Sequence, residues 1–457
     1  EIIYGLRLGI RDGKIIPVFC CSPQKGTSSL LDNIVNLFPG PKDRATEIKG
    51  INPKTKKEEA RNSEENRFSA FVFKTLTDPY VGKISVFKVL SGTLQSDSIV
   101  YNATKERTEK ISHIYLLRGK NQIEVQEVQG GDISSTSKLA DTGTCDTLCD
   151  RDNPILFPPV VFPKPTYTVA VEPKEKKDEE KMSVSLNRMM EEDPTFKFER
   201  NYEIKQNLIS GMGDLHIEVV LQKMLRKFGV AVKTLQPKIP YKETITATAS
   251  SQGKYKRQSG GRGQYGDVWL ELSPLPRGQG FEFVDKIYGG VIPKNYIPSV
   301  EKGVRETMQK GILAGFPVTD IRVTLYDGSF HEVDSSDIAF QIAASIGFKS
   351  AMENAKPILL EPIYNLEVTV PQNYIGDIIG DISSRRGKVL GTEAVSGGVL
   401  SVVKAQVPLA EIQKYAIDLR SKTQGLGSFS MEFSHYAEVP PFIAEKIIIE
   451  QKSETSK

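Results

Sequence analysis

A glycine-rich loop holds the densest cluster of chemically useful residues in the chain. The stretch GKYKRQSGGRGQYG, residues 253–266, contains five glycines, four cationic side chains and no acid. Glycines let backbone amides approach a phosphate closely, and the cations neutralise its charge. Stacking surfaces and hydrogen bonds to bases or ribose are offered by Tyr255, Tyr265, Gln258 and Gln264. Composition alone leaves two interpretations open, an RNA-binding loop and a solvated flexible hairpin.

A second candidate segment is YDGSFHEVDSSD, residues 326–337. An aspartate followed by glycine is expected to end a strand at Asp327, and Ser335 or Ser336 is suited to cap a helix that follows. His331 is then left on the connecting loop. A loop histidine is usually only a surface residue, so this pattern by itself assigns no function.

A third candidate is SSRRGK, residues 383–388, which places Arg385 and Arg386 in the last turn of a predicted helix. The helix dipole favours cations at that end. The dipole alone is therefore enough to explain the pair.

The segment SGMGDLHIE, residues 210–218, predicts a tight junction between a strand and a helix. Gly211 and Gly213 would make the turn. Asp214 is suited to cap the helix, and His216 falls in its first turn. The alternative is a turn that faces RNA or another domain.

Nucleotide and metal chemistry are disfavoured. A phosphate-binding P-loop has Ser or Thr after its Gly-Lys pair, and the chain's five Gly-Lys pairs all lack it; they begin at Gly13, Gly82, Gly119, Gly253 and Gly387. The four histidines are far apart, without an HExxH motif or a nearby cysteine pair. We therefore expect no cofactor, no metal ion and no catalytic residues in this chain.

The overall composition limits the class of protein. Lys and Arg total 60 against 57 Asp and Glu, so any contact with nucleic acid must come from local patches. The four cysteines form no pattern of a secreted disulfide framework. Neither an apolar run of about 18 residues nor a signal-peptide pattern occurs. We expect a soluble cytoplasmic protein without a membrane segment and, since the first residue is not Met, a chain that begins inside a domain.

The length and the residue patterns predict several domains in a multidomain α+β fold. Residues 1–42 contain an apolar run, Ile15–Cys21, that favours a strand, and a helical pattern at 29–38, which together are too little for a core. Alternating apolar and polar residues with turns predict a β-barrel over residues 43–163.

A βαββαβ order, typical of ferredoxin-like domains, occurs twice, in residues 164–239 and 361–440. Residues 240–360 form an α/β unit between the two copies, and residues 441–457 are a tail. Apolar side chains four apart predict a buried face on a helix beginning near Ile297. The second copy also contains a predicted helix with a buried face, formed by Ile375, Ile378, Ile379 and Ile382. Gly387 is predicted as the left-handed C-terminal cap of that helix.

The longer motifs resemble one family, bacterial elongation factor G, a translational GTPase. The resemblance runs nearly the full length of the chain and rests on EEDPTF, SGMGDLHIE, QSGGRGQYG, GGVIPKNYIPSVEKG, GSFHEVDSSDIAFQIAASI, LEPIYNLEVTVP, IGDIIGDISSRRGKVLG and FSHYAEVP. It implies that residues 1–42 are the end of the GTPase domain and that the family's second to fifth domains follow, with the fourth, residues 240–360, of the type found in ribosomal protein S5.

The resemblance also implies roles for single residues. In this family the tip of the fourth domain enters the decoding centre, where it meets the codon and anticodon backbone. The residues that match the tip loops are Gln258, Ser259, Gly260, Gly261, Arg262, Gly263, Gln264 and His331. Arg385 and Arg386 match an arginine pair that faces ribosomal RNA. The junction motif of the family's third domain matches Gly211, Gly213, Asp214 and His216. Asp214 stands where the family usually has Glu.

The implied function is GTP-dependent translocation of tRNA and mRNA on the ribosome by a monomeric factor. The full-length family member hydrolyses GTP with Mg²⁺, whereas this chain lacks the nucleotide-binding core. Its partners would be rRNA, tRNA and mRNA at the A site. The barrel-domain segment HIYLLRGKNQIEV departs from the family's usual sequence. The alternative is therefore a ribosome-binding paralogue that acts in recycling, protection or regulation without its own hydrolysis.

Overall fold

A computed structural model describes residues 2–44, 47–78, 81–119, 121–258, 263–395 and 398–455. The chain forms two compact units: residues 1–165, 171–198 and 209–234 make the first, and residues 166–170, 199–208 and 235–457 make the second. None of the helices in the described ranges is both long enough and apolar enough to cross a membrane.

The first unit begins with the helices α1 (Ile2–Arg11), α2 (Thr27–Leu37) and α3 (Pro41–Arg44). The second of these is the predicted helix. The predicted strand at Ile15–Cys21 is wrong, because the structure assigns no strand there and leaves Ile16 and Val18 exposed. A helix, α1, was missed; its two glycines weaken the helical pattern.

A series of strands follows, at β1 Ile48–Ile51, β2 Glu58–Arg61, β3 Ser69–Asp78, β4 Gly82–Ser91, β5 Thr93–Gln95, β6 Ser98–Asn102, β7 Arg107–Ile111, β8 Ile114–Arg118, β9 Asn121–Val125, β10 Glu127–Gln129, β11 Ile133–Ser137 and β12 Thr147–Cys149. Most of them form one antiparallel sheet in the order β7-β6-β12-β3-β4-β11-β8-β9. The others form the pairs β1-β2 and β5-β10.

This large sheet curls in the manner of a half-barrel. The strands β7 and β8 stand six positions apart in the sheet, which would separate them by about 29 Å if it were flat. Ile111 and Ile114 are three residues apart in sequence and cannot be separated by more than about 11 Å. Both side chains are fully buried in the same core cluster. The sheet must therefore bend round until its two ends share one core.

Residues 167–235 have the predicted βαββαβ order. The elements are β13 Tyr167–Pro173, α4 Glu179–Glu192, β14 Lys197–Asn201, β15 Gln206–Gly211, α5 Asp214–Phe228 and β16 Val232–Leu235. The sheet order β14-β15-β13-β16 is that of a ferredoxin-like domain.

The next domain packs helices against a mixed sheet. Its elements are β17 Lys242–Ile245, β18 Ala249–Arg257, β19 Gln264–Pro274, β20 Phe281–Asp285, α6 Ile297–Met308, β21 Ile321–Ser329 and α7 Asp337–Asn354. The sheet order is β18-β19-β21-β20, in which β20 and β21 pair in parallel and the other neighbours are antiparallel. The predicted face of α6 is buried, with Val300 and Val304 fully enclosed in the core.

The second ferredoxin-like domain is also as predicted. Its elements are β22 Pro357–Pro371, α8 Ile375–Ser384, β23 Lys388–Ala394, β24 Leu400–Pro408, α9 Leu409–Ile412, α10 Tyr415–Lys422 and β25 Ser428–Glu438. Strand β17 of the preceding domain pairs with the start of β22. The predicted tail contains a helix, α11 (Pro441–Thr455).

One detail of α8 differs from the prediction. Ile378 and Ile382 are buried in the core as expected, and Ile375 and Ile379 pack beside them. The left-handed residue after the helix, however, is Arg386, with φ of 58°, and not Gly387. Gly387 is needed for a different reason, because a Cβ there would lie 2.5 Å from the Ile382 side chain.

Candidate nucleic-acid interface

The glycine-rich segment is a β-hairpin made by β18 and β19. The two strands pair to their ends, with Arg257 opposite Gln264, and residues 258–263 connect them. Gln258 is exposed and Gln264 is half-buried. Four of the predicted tip residues, Ser259, Gly260, Gly261 and Arg262, lie outside the described residues.

Two of the five glycines in this segment serve packing. A Cβ at Gly253 would lie 2.0 Å from the carbonyl oxygen of Ala343, and one at Gly266 would lie 2.5 Å from that of Ala339. Both carbonyls belong to α7, which crosses the hairpin. The glycine count of the segment therefore overstates what is available for a ligand.

The second candidate loop connects β21 to α7, although β21 continues past the predicted end at Asp327 to Ser329. Ser336 caps α7, since its Oγ accepts a hydrogen bond from the amide of Ala339 at 3.3 Å. His331 lies on the connection between the two elements, with its side chain 56% exposed.

Asp334 joins the two loops. Its carboxylate accepts a hydrogen bond from the Gly263 amide at 2.9 Å, and its carbonyl oxygen accepts one from the Tyr265 amide at 2.8 Å. A Cβ at Gly263 would lie 2.9 Å from that carboxylate, so a side chain there would displace it. The described part of the hairpin loop and the histidine loop are thus brought to one end of the domain. We term this end the tip.

The hydrogen bonds around His331 favour one tautomer of its neutral ring. Its Nδ1 accepts from the amides of Val333 and Asp334, each at 3.3 Å, and its own amide donates to Ser335 Oγ at 2.9 Å. A nitrogen that accepts has no hydrogen, so the neutral ring carries its proton on Nε2. Within the described ranges no group accepts from Nε2. The tip therefore presents an uncommitted hydrogen-bond donor.

The buried carboxylate of Asp267 holds together the strands that lead to the tip. Asp267 is only 5% exposed and accepts hydrogen bonds from Gln252 Nε2 at 2.8 Å and from Ser329 Oγ at 2.7 Å. The Tyr265 hydroxyl lies 2.7 Å from the same serine hydroxyl. Tyr265 and Tyr255 are both half-buried, and Tyr255 packs on the core. These contacts give both tyrosines structural roles.

The arginine pair of the last domain is arranged differently from the tip. Arg386 donates two hydrogen bonds to Glu361, at 2.6 and 2.9 Å, and a third to Glu411 at 2.9 Å. The hydrogen bonds with Glu361 raise the pKa of Arg386 above its ordinary value, against the opposing effect of burial. Glu361 itself is 2% exposed. The guanidinium group is therefore the charge partner of a buried acid.

Arg385 is also paired within its domain. It donates to Asp381 Oδ2 at 3.0 Å, to the Glu411 carbonyl at 2.8 Å and to Asp418 Oδ2 at 2.8 Å. Burial would raise the pKa of Asp381, but hydrogen bonds from Lys422 and Arg385 outweigh it and hold that pKa below its usual range. These pairs account for both arginines without RNA, and their predicted contact with ribosomal RNA stays a prediction.

The GMGDLH junction is built around His216. Its Nδ1 accepts from the Met212 amide at 3.0 Å, and its Nε2 donates to Asp193 Oδ2 at 2.9 Å. A Cβ at Gly211 would lie 2.9 Å from Nδ1, which explains that glycine. Helix α5 starts at Asp214, but the capping position is Gly213, so the predicted cap is wrong.

The hydrogen bonds around Asp193 strengthen this junction. Burial would raise the pKa of Asp193, yet hydrogen bonds from Thr195 and His216 lower it overall. The junction histidine therefore has an internal partner on each ring nitrogen. Its described contacts are those of a structural residue.

The predicted site residues thus fall into three separate domains, and only the two tip loops are brought together. Asp334 and Asp267 were missed by the sequence analysis. Asp334 could have been chosen as a candidate from the sequence, because it lies three residues after His331 in the same predicted loop. Among the residues that the structure describes, no group of His, Cys, Asp and Glu is arranged to hold a metal ion.

Family models of four consecutive domains match the chain. They are described as elongation factor G domain 2, domain III, domain IV and C-terminus, and they match residues 67–151, 162–236, 237–356 and 358–447. A curated relative, elongation factor G of Aquifex pyrophilus, is 50% identical over 455 residues. That match covers 99% of this chain and 64% of the relative, so the chain spans less than two thirds of the relative's length.

A solved structure agrees with these matches. A crystal structure of a protein from Thermus thermophilus superposes with a TM-score of 0.77 at 38% identity, covering 99% of this chain and 65% of the other. The domain order, the long sequence match and the shared fold lead to one conclusion: the chain belongs to the elongation factor G family and carries its domains 2, III, IV and the C-terminal domain.

Proposed function

We propose that this chain is the RNA-probing part of a translation elongation factor that moves tRNA and mRNA through the ribosome. The observation that carries this proposal is the tip, where Asp334 fastens two loops and leaves the Nε2–H of His331 as a free donor among the described residues. Phosphate and ribose oxygens of RNA are acceptors, so this donor suits them.

The exposed cations of the hairpin suit the same ligand. Lys256 and Arg257 lie at the end of β18, directly before the loop, and both are exposed. Their charges favour RNA phosphates and make the contact sensitive to salt. These two cations place positive charge next to the tip of a chain whose overall charge is nearly balanced.

Pre-organisation supports a mechanical role for this domain. The Glu243 carboxylate, fully buried, accepts hydrogen bonds from four backbone amides of one loop, those of Ile312, Leu313, Ala314 and Phe316, at 2.6 to 3.1 Å. Glu243 lies on β17, which pairs with β22 of the following domain. Glu243 therefore anchors this loop to β17, and β17 joins the tip domain to the following domain through its pairing with β22. A force on one domain can pass to the other through this strand pair.

GTP and Mg²⁺ belong to the proposal only through the full-length factor. The five Gly-Lys pairs of this chain lack the Ser or Thr that a P-loop uses to hold the metal. The residues present do not fit the nucleotide, and no proposed step passes through it. Under this proposal the factor works in the cytoplasm as a monomer and meets rRNA, tRNA and mRNA at the A site.

The test is the double substitution Gln258→Ala and His331→Ala in the full-length factor. Single-round translocation should slow, by up to about tenfold for each lost hydrogen bond of roughly 0.5 to 1.5 kcal/mol. Ribosome-stimulated GTP hydrolysis should remain. The melting temperature should hardly change, because surface substitutions cost about 0.5 kcal/mol or less.

The matched control is Gln279→Ala, an exposed glutamine on the β19–β20 connection at the other end of the same sheet. It should translocate at the rate of the unmodified factor. A double variant that translocates equally fast would refute the proposed role of the tip.

A further inference from the structure

A third loop, between β20 and α6, leaves the sheet on the same side as the tip loops. Strand β20 pairs in parallel with β21, with Asp285 opposite Leu325, and the Lys286 amide donates to the Leu325 carbonyl at 2.8 Å. Parallel strands end at the same edge of a sheet. The residues after Asp285 therefore leave the sheet at the edge where β21 continues to His331.

The loop is held at two points and exposed between them. Ile292 is 1% exposed and lies against Gly328 of β21, where a Cβ would come within 2.5 Å of its side chain. Ile287 packs against the core of the domain. The residues between them, 288–291, are all exposed.

Tyr288 occupies the start of this exposed segment. Its side chain is 92% exposed, more than any other aromatic side chain in the described parts of the chain. Gly289 and Gly290 follow with φ of 68° and 73°, a left-handed conformation that other residues rarely adopt. The backbone turns directly after Tyr288. Lys286 and Lys294, two residues before and six after it in the sequence, are exposed too.

The position of Tyr288 contrasts with that of the two tyrosines of the hairpin. Tyr255 packs on the core, the Tyr265 ring has the Lys254 ammonium over it at 5.8 Å, and both side chains are half-buried. An open aromatic ring flanked by cations is the usual platform on which an unpaired base stacks.

We propose that Tyr288 is a third RNA contact of the tip, at which its ring stacks on an unpaired base. This inference rests on the proposed function, because it takes RNA to be the ligand of the tip. It adds a contact of a different kind: His331 donates a hydrogen bond, whereas Tyr288 offers a ring face that tolerates any base.

The experiment compares three substitutions in the full-length factor by single-round translocation. Tyr288→Ala should slow translocation about fivefold or more, given typical stacking contributions of aromatic side chains. Tyr288→Phe keeps the ring and should stay within about twofold of the unmodified rate. Tyr288→Leu keeps apolar bulk without a ring and should be as slow as the alanine variant. Melting temperatures should be the same for all three.

The control is Tyr202→Ala, since Tyr202 is also a highly exposed tyrosine, 79% accessible, but on the turn after β14. It should translocate normally. An unimpaired Tyr288→Ala variant would overturn the inference, and so would a Tyr288→Leu variant as fast as Phe, because that would indicate an apolar contact with protein.

The two proposals fail separately. If Gln258→Ala with His331→Ala slows translocation and Tyr288→Ala does not, only the third contact is refuted. If the double variant at the first two loops has no effect either, the proposed function of the tip is refuted as well.

Discussion

The tip loops and the arginine pair present cationic residues in opposite ways. Both segments were predicted to meet RNA, and both carry cations near glycine. At the tip, His331 keeps a free Nε2–H among the described residues, and Lys256 and Arg257 are exposed. In the last domain Arg385 and Arg386 direct their guanidinium groups at acids of their own domain.

The difference lies in acids that are distant in sequence. Glu361 and Glu411 lie 25 residues before and after Arg386 and are brought to it by the fold. The acid near His331, Asp334, accepts from the Gly263 amide and lies 3.7 Å from the inner ring nitrogen, Nδ1, which leaves the outer ring nitrogen uncovered. Cations in a sequence therefore stay available to an external ligand only where the fold supplies no internal acid.

The largest expected effect concerns Arg386. Substituting Arg386→Met leaves Glu361 buried without its partner, and such a loss costs about 3 to 5 kcal/mol. Thermal unfolding of the chain should show a clear drop in the melting temperature of the last domain.

Two further variants sharpen this prediction. Replacing both partners, Arg386→Met with Glu361→Met, should recover much of the loss because no buried charge is left alone. Arg322→Met breaks an exposed pair with Glu282 and should cost about 1 kcal/mol or less. An Arg386→Met chain with an unchanged melting temperature would show that Glu361 does not need this arginine as its charge partner.

A smaller effect is expected at the tip. Asp334→Ala removes the acceptor of the Gly263 amide, and hydrogen bonds to charged groups are worth about 1.5 to 3 kcal/mol. Hydrogen exchange at Gly263 should therefore become about ten- to hundredfold faster. Asp334→Asn keeps an acceptor oxygen and should exchange within a few fold of the original chain. Equal exchange in all three chains would mean that Asp334 does not hold the loops together.

The smallest effect is a change in acid stability. The pKa of Asp381 is lowered in the folded chain, so the unfolded chain, with an ordinary value of about 3.9, takes up a proton first as the pH falls. The stabilisation is present above about pH 4 and is lost as the pH falls through the folded pKa. Melting temperatures measured from neutral to acid pH should fall less steeply for Asp381→Asn. Parallel curves for both chains would exclude this group as a source of acid lability.

Much of the fold was predictable, because it depends on local periodicity. The isoleucine face of α8 and the repeated βαββαβ order arise from spacing that a chain shows directly. The prediction of a strand at Ile15–Cys21 was wrong because an apolar run does not show whether a second strand lies beside it to form hydrogen bonds. The prediction that Gly387 caps α8 was wrong because Arg386 adopts the left-handed conformation. Gly387 is a glycine for another reason, since a side chain there would clash with Ile382.

The candidate site was predictable only in part. The positions of His331 and Ser336 before a helix start follow from turn and capping chemistry. The joining of two loops by Asp334 depends on a pairing between residues 71 apart in sequence. Tyr288 was also missed, since its location at the tip follows from the parallel pairing of β20 and β21, which sequence patterns do not specify.

Crosslinking measures directly whether the tip touches RNA. A photoreactive amino acid would replace Glu332, an exposed residue next to His331, in the full-length factor bound to ribosomes; Gln279 is the control position. We predict adducts between position 332 and A-site RNA, well above those from position 279. Adducts to ribosomal proteins alone, or equal RNA yields at the two positions, would contradict the account.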